Sequence, residues 1–225
     1  MTSGIDTIIF DLDGTLIDSV GHCTAILNEM LFERGCERQI CVHAARPWLT
    51  VGGRQMVTAL LANDCGDPDQ ETADFRRRYQ GRPTPVDCLY EGVAEGLEQL
   101  RERGYRIALC SNKPQLLCEK VLTELGLAQC FDLIVGSRPE LRPKPAPDML
   151  AMVLVELGVT ADNCVLVGDS EIDQIMADEA GMPFLFMTYG YAAANFNRSK
   201  LTCLDGFEEL VAYFGGVSAR IARTG

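Results

Sequence analysis

The chain predicts an α/β protein, a Rossmann-like doubly wound parallel sheet with a helical domain inserted after its first strand. Two observations carry this. From Tyr90 onward, short apolar runs alternate with segments of helical apolar spacing, as in a parallel sheet covered on both faces. Residues 18 to 85 break that rhythm, with helical spacing and no long β-branched run. A length of 225 residues suits one core domain carrying a smaller insertion.

The elements follow in order. IDTIIF is the first strand, and it runs into FDLDGTLIDS, where Asp18-Ser19 suits a helix cap. Val20, Leu27 and Leu31, then Met56, Val57, Leu60 and Leu61, mark helices of the insertion. GRPTPVD, rich in proline, suits a linker back to the core. The predicted domains are therefore 1–17 with 86–225 as the α/β core, and 18–85 as the helical insertion. Val93, Leu97 and Leu100 mark the next helix, YRIALCS a strand, and Leu117, Val121 and Leu125 a helix. FDLIVG is a strand, Leu150, Val153, Leu154 and Leu157 a helix, and CVLVGD a strand. Ile172, Ile175 and Met176 mark a helix, and PFLFMT is the last clear strand.

Thirty-two acidic residues against 20 basic ones give a net charge of −12, a field that repels nucleic acid and anionic lipid. An anionic substrate is repelled too, so any phosphate site needs local positive charge. The first residues, MTSGID, lack the basic and apolar regions of a signal peptide, and the apolar runs are short. A soluble, cytoplasmic protein, monomer or homodimer, without nucleic-acid or membrane partners, is the expectation. Ten cysteines are scattered without a CxxC pair, and buried reduced thiols are the simplest reading. Only His22 and His43 offer imidazoles, which disfavours zinc.

In an open parallel sheet, ligands bind beyond the carboxyl ends of the strands where strand order reverses. Asp11 and Asp13 follow the first strand, Ser111 and Asn112 follow YRIALC, Lys144 follows FDLIVG, and Asp169 and Asp173 follow CVLVG. Four converging carboxylates repel one another unless a cation is present. Mg²⁺, which prefers hard oxygen ligands, is the simplest account. Lys144, between the prolines of RPKPAP, supplies a second cation.

DLDGTLIDS, SNK, the KPAP lysine and GDSEID resemble, in order and spacing, the four motifs of the haloacid dehalogenase (HAD) superfamily of phosphohydrolases. GDS…D…AGM…TYGY and the stretch PWLTVGGRQM resemble the phosphoglycolate phosphatase branch. The resemblance implies a mobile cap formed by the insertion, a small phosphorylated metabolite as substrate, and an aspartyl-phosphate intermediate. It makes Asp11 the nucleophile and Asp13 the general acid and base. It makes Ser111, Asn112 and Lys144 the phosphate-binding groups, and Asp11, the Asp13 carbonyl and Asp169 the Mg²⁺ ligands, with Asp173 orienting them. Gly14 and Thr15 shape the loop, and Arg54 in the cap is a candidate for meeting a substrate carboxylate.

Other residues have plainer expectations. Lys113 reads as a solvated side chain, Asp18 and Glu171 as cap and surface residues, and Trp48 and Tyr191 as packing groups. Within the superfamily, phosphonatases need a cap lysine, and the chain's first lysine is Lys113. Dehalogenases lack the second aspartate, which is present as Asp13. The alternatives left open are a β-phosphoglucomutase-like isomerase, a pyrophosphatase or nucleotidase on the same scaffold, and a non-catalytic binding module.

Overall fold

The structure, a computed structural model, describes residues 4–215. The core begins with β1 (Thr7–Phe10). Four helices follow before the chain returns to the core: α1 (Val20–Glu33), α2 (Val42–Ala45), α3 (Gly53–Leu61) and α4 (Pro68–Gly81). Then come α5 (Val93–Glu102), β2 (Arg106–Pro114), α6 (Gln115–Glu124), β3 (Leu133–Ser137), α7 (Asp148–Leu157) and β4 (Cys164–Gly168). The chain closes with α8 (Glu171–Glu179), β5 (Phe184–Met187), β6 (Thr202–Leu204) and α9 (Phe207–Gly215).

The six strands pair in the order β3-β2-β1-β4-β5-β6, all parallel. Phe10 of β1 sits opposite Leu109 of β2 and Val167 of β4. Successive connections run one way from β1 to β2 and β3 and the other way to β4, so the strand order reverses beside β1, where α/β sheets bind ligands.

Side chains alternate across this sheet with period two. Ile8, Phe10, Ile107, Leu109, Val165 and Val167 face one apolar cluster. Ile9, Ala108, Cys110, Cys164 and Leu166 face another. Both faces are covered, which is why the strands read as unbroken apolar runs rather than alternating ones. Helices α5, α6 and α9 cover the first face, while α7 and α8 cover the second. The first cluster continues without a gap into the inserted helices through Leu27, Met56 and Tyr79.

Helices α2, α4 and α9 and strand β6 were not expected from the sequence. Strand β6 has only three residues, two of them exposed, and carries no alternation long enough to detect. The highly charged α4 buries only Thr72, Phe75 and Tyr79. Its signal lay in the cap instead: Asp67 accepts from the Asp69 and Gln70 amides, ahead of Pro68 in the first turn. Helix α8 buries Met176 of its expected apolar face, but Asp173 is buried beside it and Ile175 is 38% exposed. Hydrogen bonds to Asp173, described below, outweigh burial of one isoleucine. Six of the ten cysteines are buried, but Cys41 and Cys203 are exposed, against the expectation of buried thiols. Among the described residues, no helix is long and apolar enough to cross a membrane.

Candidate active site

Strand β1 ends in a loop held by its own backbone. The Asp11 amide donates to the Val167 carbonyl at 2.9 Å, prolonging the ladder to β4 by one residue. The Leu16 and Ile17 amides both donate to the Leu12 carbonyl, at 2.9 and 3.1 Å, and the Gly14 amide donates to Ile17 at 2.8 Å. Gly14 has φ +91°, and a Cβ there would overlap the Asp169 carboxylate. Glycine is required at this position both for its backbone conformation and for the close approach.

Strand β2 brings the second group. Its pairing with β3 shifts register between Ser111 and Pro114, an irregularity of the kind that re-aims side chains at a strand end. Ser111, Asn112 and Lys113 accordingly all line one cleft. The Asn112 carboxamide clamps the next segment, accepting from the Lys144 amide at 2.8 Å and donating to its carbonyl at 3.3 Å. It is therefore spent on positioning Lys144. The Lys144 ammonium reaches Asp11 Oδ1 at 2.8 Å and Asp173 Oδ1 at 2.7 Å. The Ser170 hydroxyl donates to Asp173 Oδ2 at 2.5 Å and caps α8 by accepting from the Asp173 amide.

Lys113 corrects an expectation. It is largely shielded from solvent rather than solvated, and its Nζ lies 2.8 Å from each oxygen of Asp13. It also stands 4.7 Å over the Tyr79 ring of α4. The Ser19 hydroxyl donates to Asp13 as well, at 2.5 Å. Capping of α1 falls to Asp18, whose carboxylate accepts from the Val20 amide at 3.2 Å. The solvated reading followed the ordinary behaviour of lysine; only the pairing with Asp13 reverses it.

Asp169 is held differently. Thr15 Oγ1 donates to it at 3.2 Å and the Tyr191 amide at 2.5 Å. A Cβ at Gly190 would overlap it, as at Gly14. The TYGY segment thus forms the far wall of the Asp169 pocket, a role invisible in its sequence. Tyr189 donates to the Thr15 carbonyl at 2.7 Å, and Tyr191 donates to Asp18 at 2.8 Å, so both tyrosines are tied to the first loop. Arg46 of the insertion pairs with Asp18 at 3.1 Å and donates to the Tyr189 and Gly190 carbonyls.

Burial dominates the electrostatics. It pushes the Asp11 carboxyl up to about 6, against the opposing pull of Lys144, with Asp173 raising it further. Burial also lifts Asp169 well above the carboxylate range, aided by Asp173 and Asp11. For Lys113 and Lys144, burial disfavours the charged form, but the adjoining carboxylates outweigh it and keep both ammonium groups charged.

Carboxylate oxygens of Asp11, Asp169 and Asp173 lie within 4.8 Å of one another. Among the described residues Asp169 has no cationic partner, whereas Asp11 and Asp173 share Lys144. Three buried carboxylates this close, one of them without a counter-charge and collared by two glycines, suit a hard divalent cation.

The cleft, of about 650 Å³ including its mouth, lies between the strand ends and the insertion. Leu49, Met56, Phe75 and Tyr79 give its outer wall an apolar character. Arg54 is not brought to it: its guanidinium pairs with Asp69 at 2.6 Å, and the side chain is 58% exposed. Arg76 of α4 lines the cleft instead. Trp48 is 41% exposed, outside the cleft lining, and Tyr191 is buried in the core.

Residues 8–187 match the family model of the haloacid dehalogenase-like hydrolases. The phosphoglycolate phosphatase of Cereibacter sphaeroides is 34% identical over 194 residues, covering 83% of this chain and 87% of that one. The phosphoglycolate phosphatase of Colwellia psychrerythraea is 31% identical over 218 residues, covering 92% and 95%. Among solved structures, a predicted phosphoglycolate phosphatase from Haemophilus somnus superimposes with a TM-score of 0.83 at 25% identity, over 95% of this chain and 99% of that one. CbbY from Rhodobacter sphaeroides, solved with phosphate, shares the fold with a TM-score of 0.77 at 23% identity, over 92% and 96%. The chain belongs to the haloacid dehalogenase-like hydrolase family, as a phosphoglycolate phosphatase-like enzyme.

Proposed function

We propose that this hydrolase is a Mg²⁺-dependent phosphatase that cleaves a small phosphate monoester, phosphoglycolate in the first instance, through an aspartyl phosphate on Asp11. The observation that carries the proposal is the meeting, at the strand-order reversal, of Asp11 with Lys144 on one side and the acids Asp169 and Asp173 on the other.

In this reading Asp11 attacks phosphorus through a carboxylate oxygen, forming a new O–P bond as the ester P–O bond to the leaving alkoxide breaks. Although raised to about 6, Asp11 is still ionised at neutral pH. Asp13 gives its proton to the leaving alkoxide, then takes one from the water that hydrolyses the aspartyl phosphate. To do so it must exchange the Lys113 contact for the substrate oxygen, a rearrangement suited to closing of residues 18–85 as a cap. Ser111 and Lys144 meet the phosphoryl oxygens, and Asn112 holds Lys144 in place.

The carboxylates of Asp11 and Asp169 and the Asp13 carbonyl would hold the metal, with Asp173 fixed beside them by Lys144 and Ser170. When bound, Mg²⁺ supplies neutralisation of the charge on the transferring phosphoryl group. The apolar outer wall of the cleft excludes water from these charges, which strengthens them.

Phosphate release from a panel of esters with Mg²⁺ tests the proposal: phosphoglycolate, sugar phosphates, nucleoside monophosphates, pyrophosphate and p-nitrophenyl phosphate. Silence on every ester would overturn it. Conversion of a sugar phosphate into its isomer without net phosphate release would replace hydrolysis with the mutase reaction.

A further inference from the structure

Three cations line the cleft, and two of them are already neutralised. Lys144 lies 2.8 Å from Asp11 and 2.7 Å from Asp173, and Lys113 lies 2.8 Å from Asp13. The third, Arg76, stands on α4 and is exposed to the cleft. Among the described residues it forms no ion pair or hydrogen bond. Its neighbours on the insertion are all engaged: Arg54 with Asp69, Arg77 with Asp74, and Arg78 with Asp74 and Glu33. It thus stands at the wall of the cleft as a cation without a carboxylate, in a chain of net charge −12.

The surroundings of Arg76 limit what it can meet. Its guanidinium lies beside Gly53, where a Cβ would stand 3.7 Å away, and Gly52 and Gly53 line the same cleft. The neighbouring wall residues Leu49, Met56 and Phe75 offer no charge. One guanidinium fork on an otherwise apolar wall matches a single planar carboxylate, two N–H groups to two oxygens. A second phosphoryl group, with nearly two charges and three oxygens to satisfy, would leave much of its charge unmet there.

We propose that Arg76 is the specificity determinant of the cleft: it binds the carboxylate at the far end of a short phosphorylated carboxylic acid whose phosphoryl group sits at Asp11. This rests on the phosphatase reading and narrows its substrate class. The role expected from sequence for Arg54 passes to Arg76, twenty-two positions further along the chain.

The test compares phosphoglycolate with 2-hydroxyethyl phosphate, which has a similar skeleton without the carboxylate charge, and with a short bisphosphate. Wild type is expected to prefer phosphoglycolate. Arg76→Gln is expected to lower kcat/KM for phosphoglycolate roughly 10- to 100-fold, chiefly through KM, as for loss of a charge-assisted bond. The same variant should change 2-hydroxyethyl phosphate less than about threefold, and Arg76→Lys should recover part of the loss. Arg77→Gln, on the same helix, is the control for nonspecific charge effects. Equal losses on the charged and uncharged esters, or no loss on phosphoglycolate, would overturn the assignment and leave the phosphatase reading standing. A bisphosphate that loses most in Arg76→Gln would replace the carboxylate with a second phosphate. A wild type that hydrolyses no ester would remove the phosphatase reading itself, and this assignment with it.

Discussion

Lys113 and Asp13 form a largely shielded ion pair in which the ammonium lies 2.8 Å from both carboxylate oxygens, with side-chain exposures of 8% and 13%. Removing one partner of such a pair strands the other charge, at a cost of about 3–5 kcal/mol. Lys113→Met is expected to lose stability on that order in urea denaturation. The double variant Lys113→Met with Asp13→Asn should recover most of it. Loss in the double variant equal to the sum of the single losses would show that the two side chains do not interact.

Asp11→Asn is expected to abolish phosphate release while leaving the fold intact by circular dichroism, because an amide cannot attack phosphorus. Asp13→Asn should retain Mg²⁺ binding but slow turnover by about 10²- to 10⁴-fold, the worth of general acid-base catalysis. Single-turnover phosphate release with each variant distinguishes these outcomes, and substantial turnover by Asp11→Asn would remove it as nucleophile.

A chelator is expected to silence the enzyme and Mg²⁺ to restore it. Asp169→Asn keeps the shape of the buried pocket but removes the charge that has no cationic partner. It should raise the Mg²⁺ needed for half-maximal activity by at least about tenfold, and titration calorimetry should show the same weakening without any substrate. An unchanged Mg²⁺ requirement would exclude Asp169 as a ligand.

His22 provides the pH dependence of stability. Burial, then the nearby charges of Lys113 and Arg82, depress its pKa from 6.5 to about 4. Below pH 6.5 the unfolded chain binds a proton that the folded chain declines until about pH 4. The stabilisation is therefore complete above 6.5 and is lost as the pH falls between those values. Wild type should lose more stability from pH 7 to pH 5 than His22→Leu, by about 1 kcal/mol after allowance for solvent screening. Parallel urea midpoints for the two proteins across that range would place the titration elsewhere.

Much of the fold was legible because its signals are local. The runs IDTIIF, YRIALC and CVLVG are long, apolar and bounded by charge, and they became β1, β2 and β4. Strand β6 was illegible because its three residues, two of them exposed, gain their strand geometry from pairing with β5 rather than from their own pattern. The inward face of α8 was only partly legible for a related reason. Ile172, Ile175 and Met176 suggested an inward face; Met176 is buried, but Asp173 is buried as well, held by Lys144 from 29 residues away, and Ile175 is left exposed.

The candidate site divides in the same way. Sequence alone determined that Asp11, Asp13, Ser111, Asn112, Lys144, Asp169 and Asp173 follow strands whose carboxyl ends share one edge, since strand direction and topology follow from the alternation of elements. Tertiary structure decided which charge answers which. It paired Lys113 with Asp13, spent Asn112 on Lys144, drew Gly190 against Asp169, and turned Arg54 to Asp69 while leaving Arg76 in the cleft. The reason is physical: a side chain's charge is written in the sequence, but its counter-charge is set by which distant segments the packed core brings within a few ångströms.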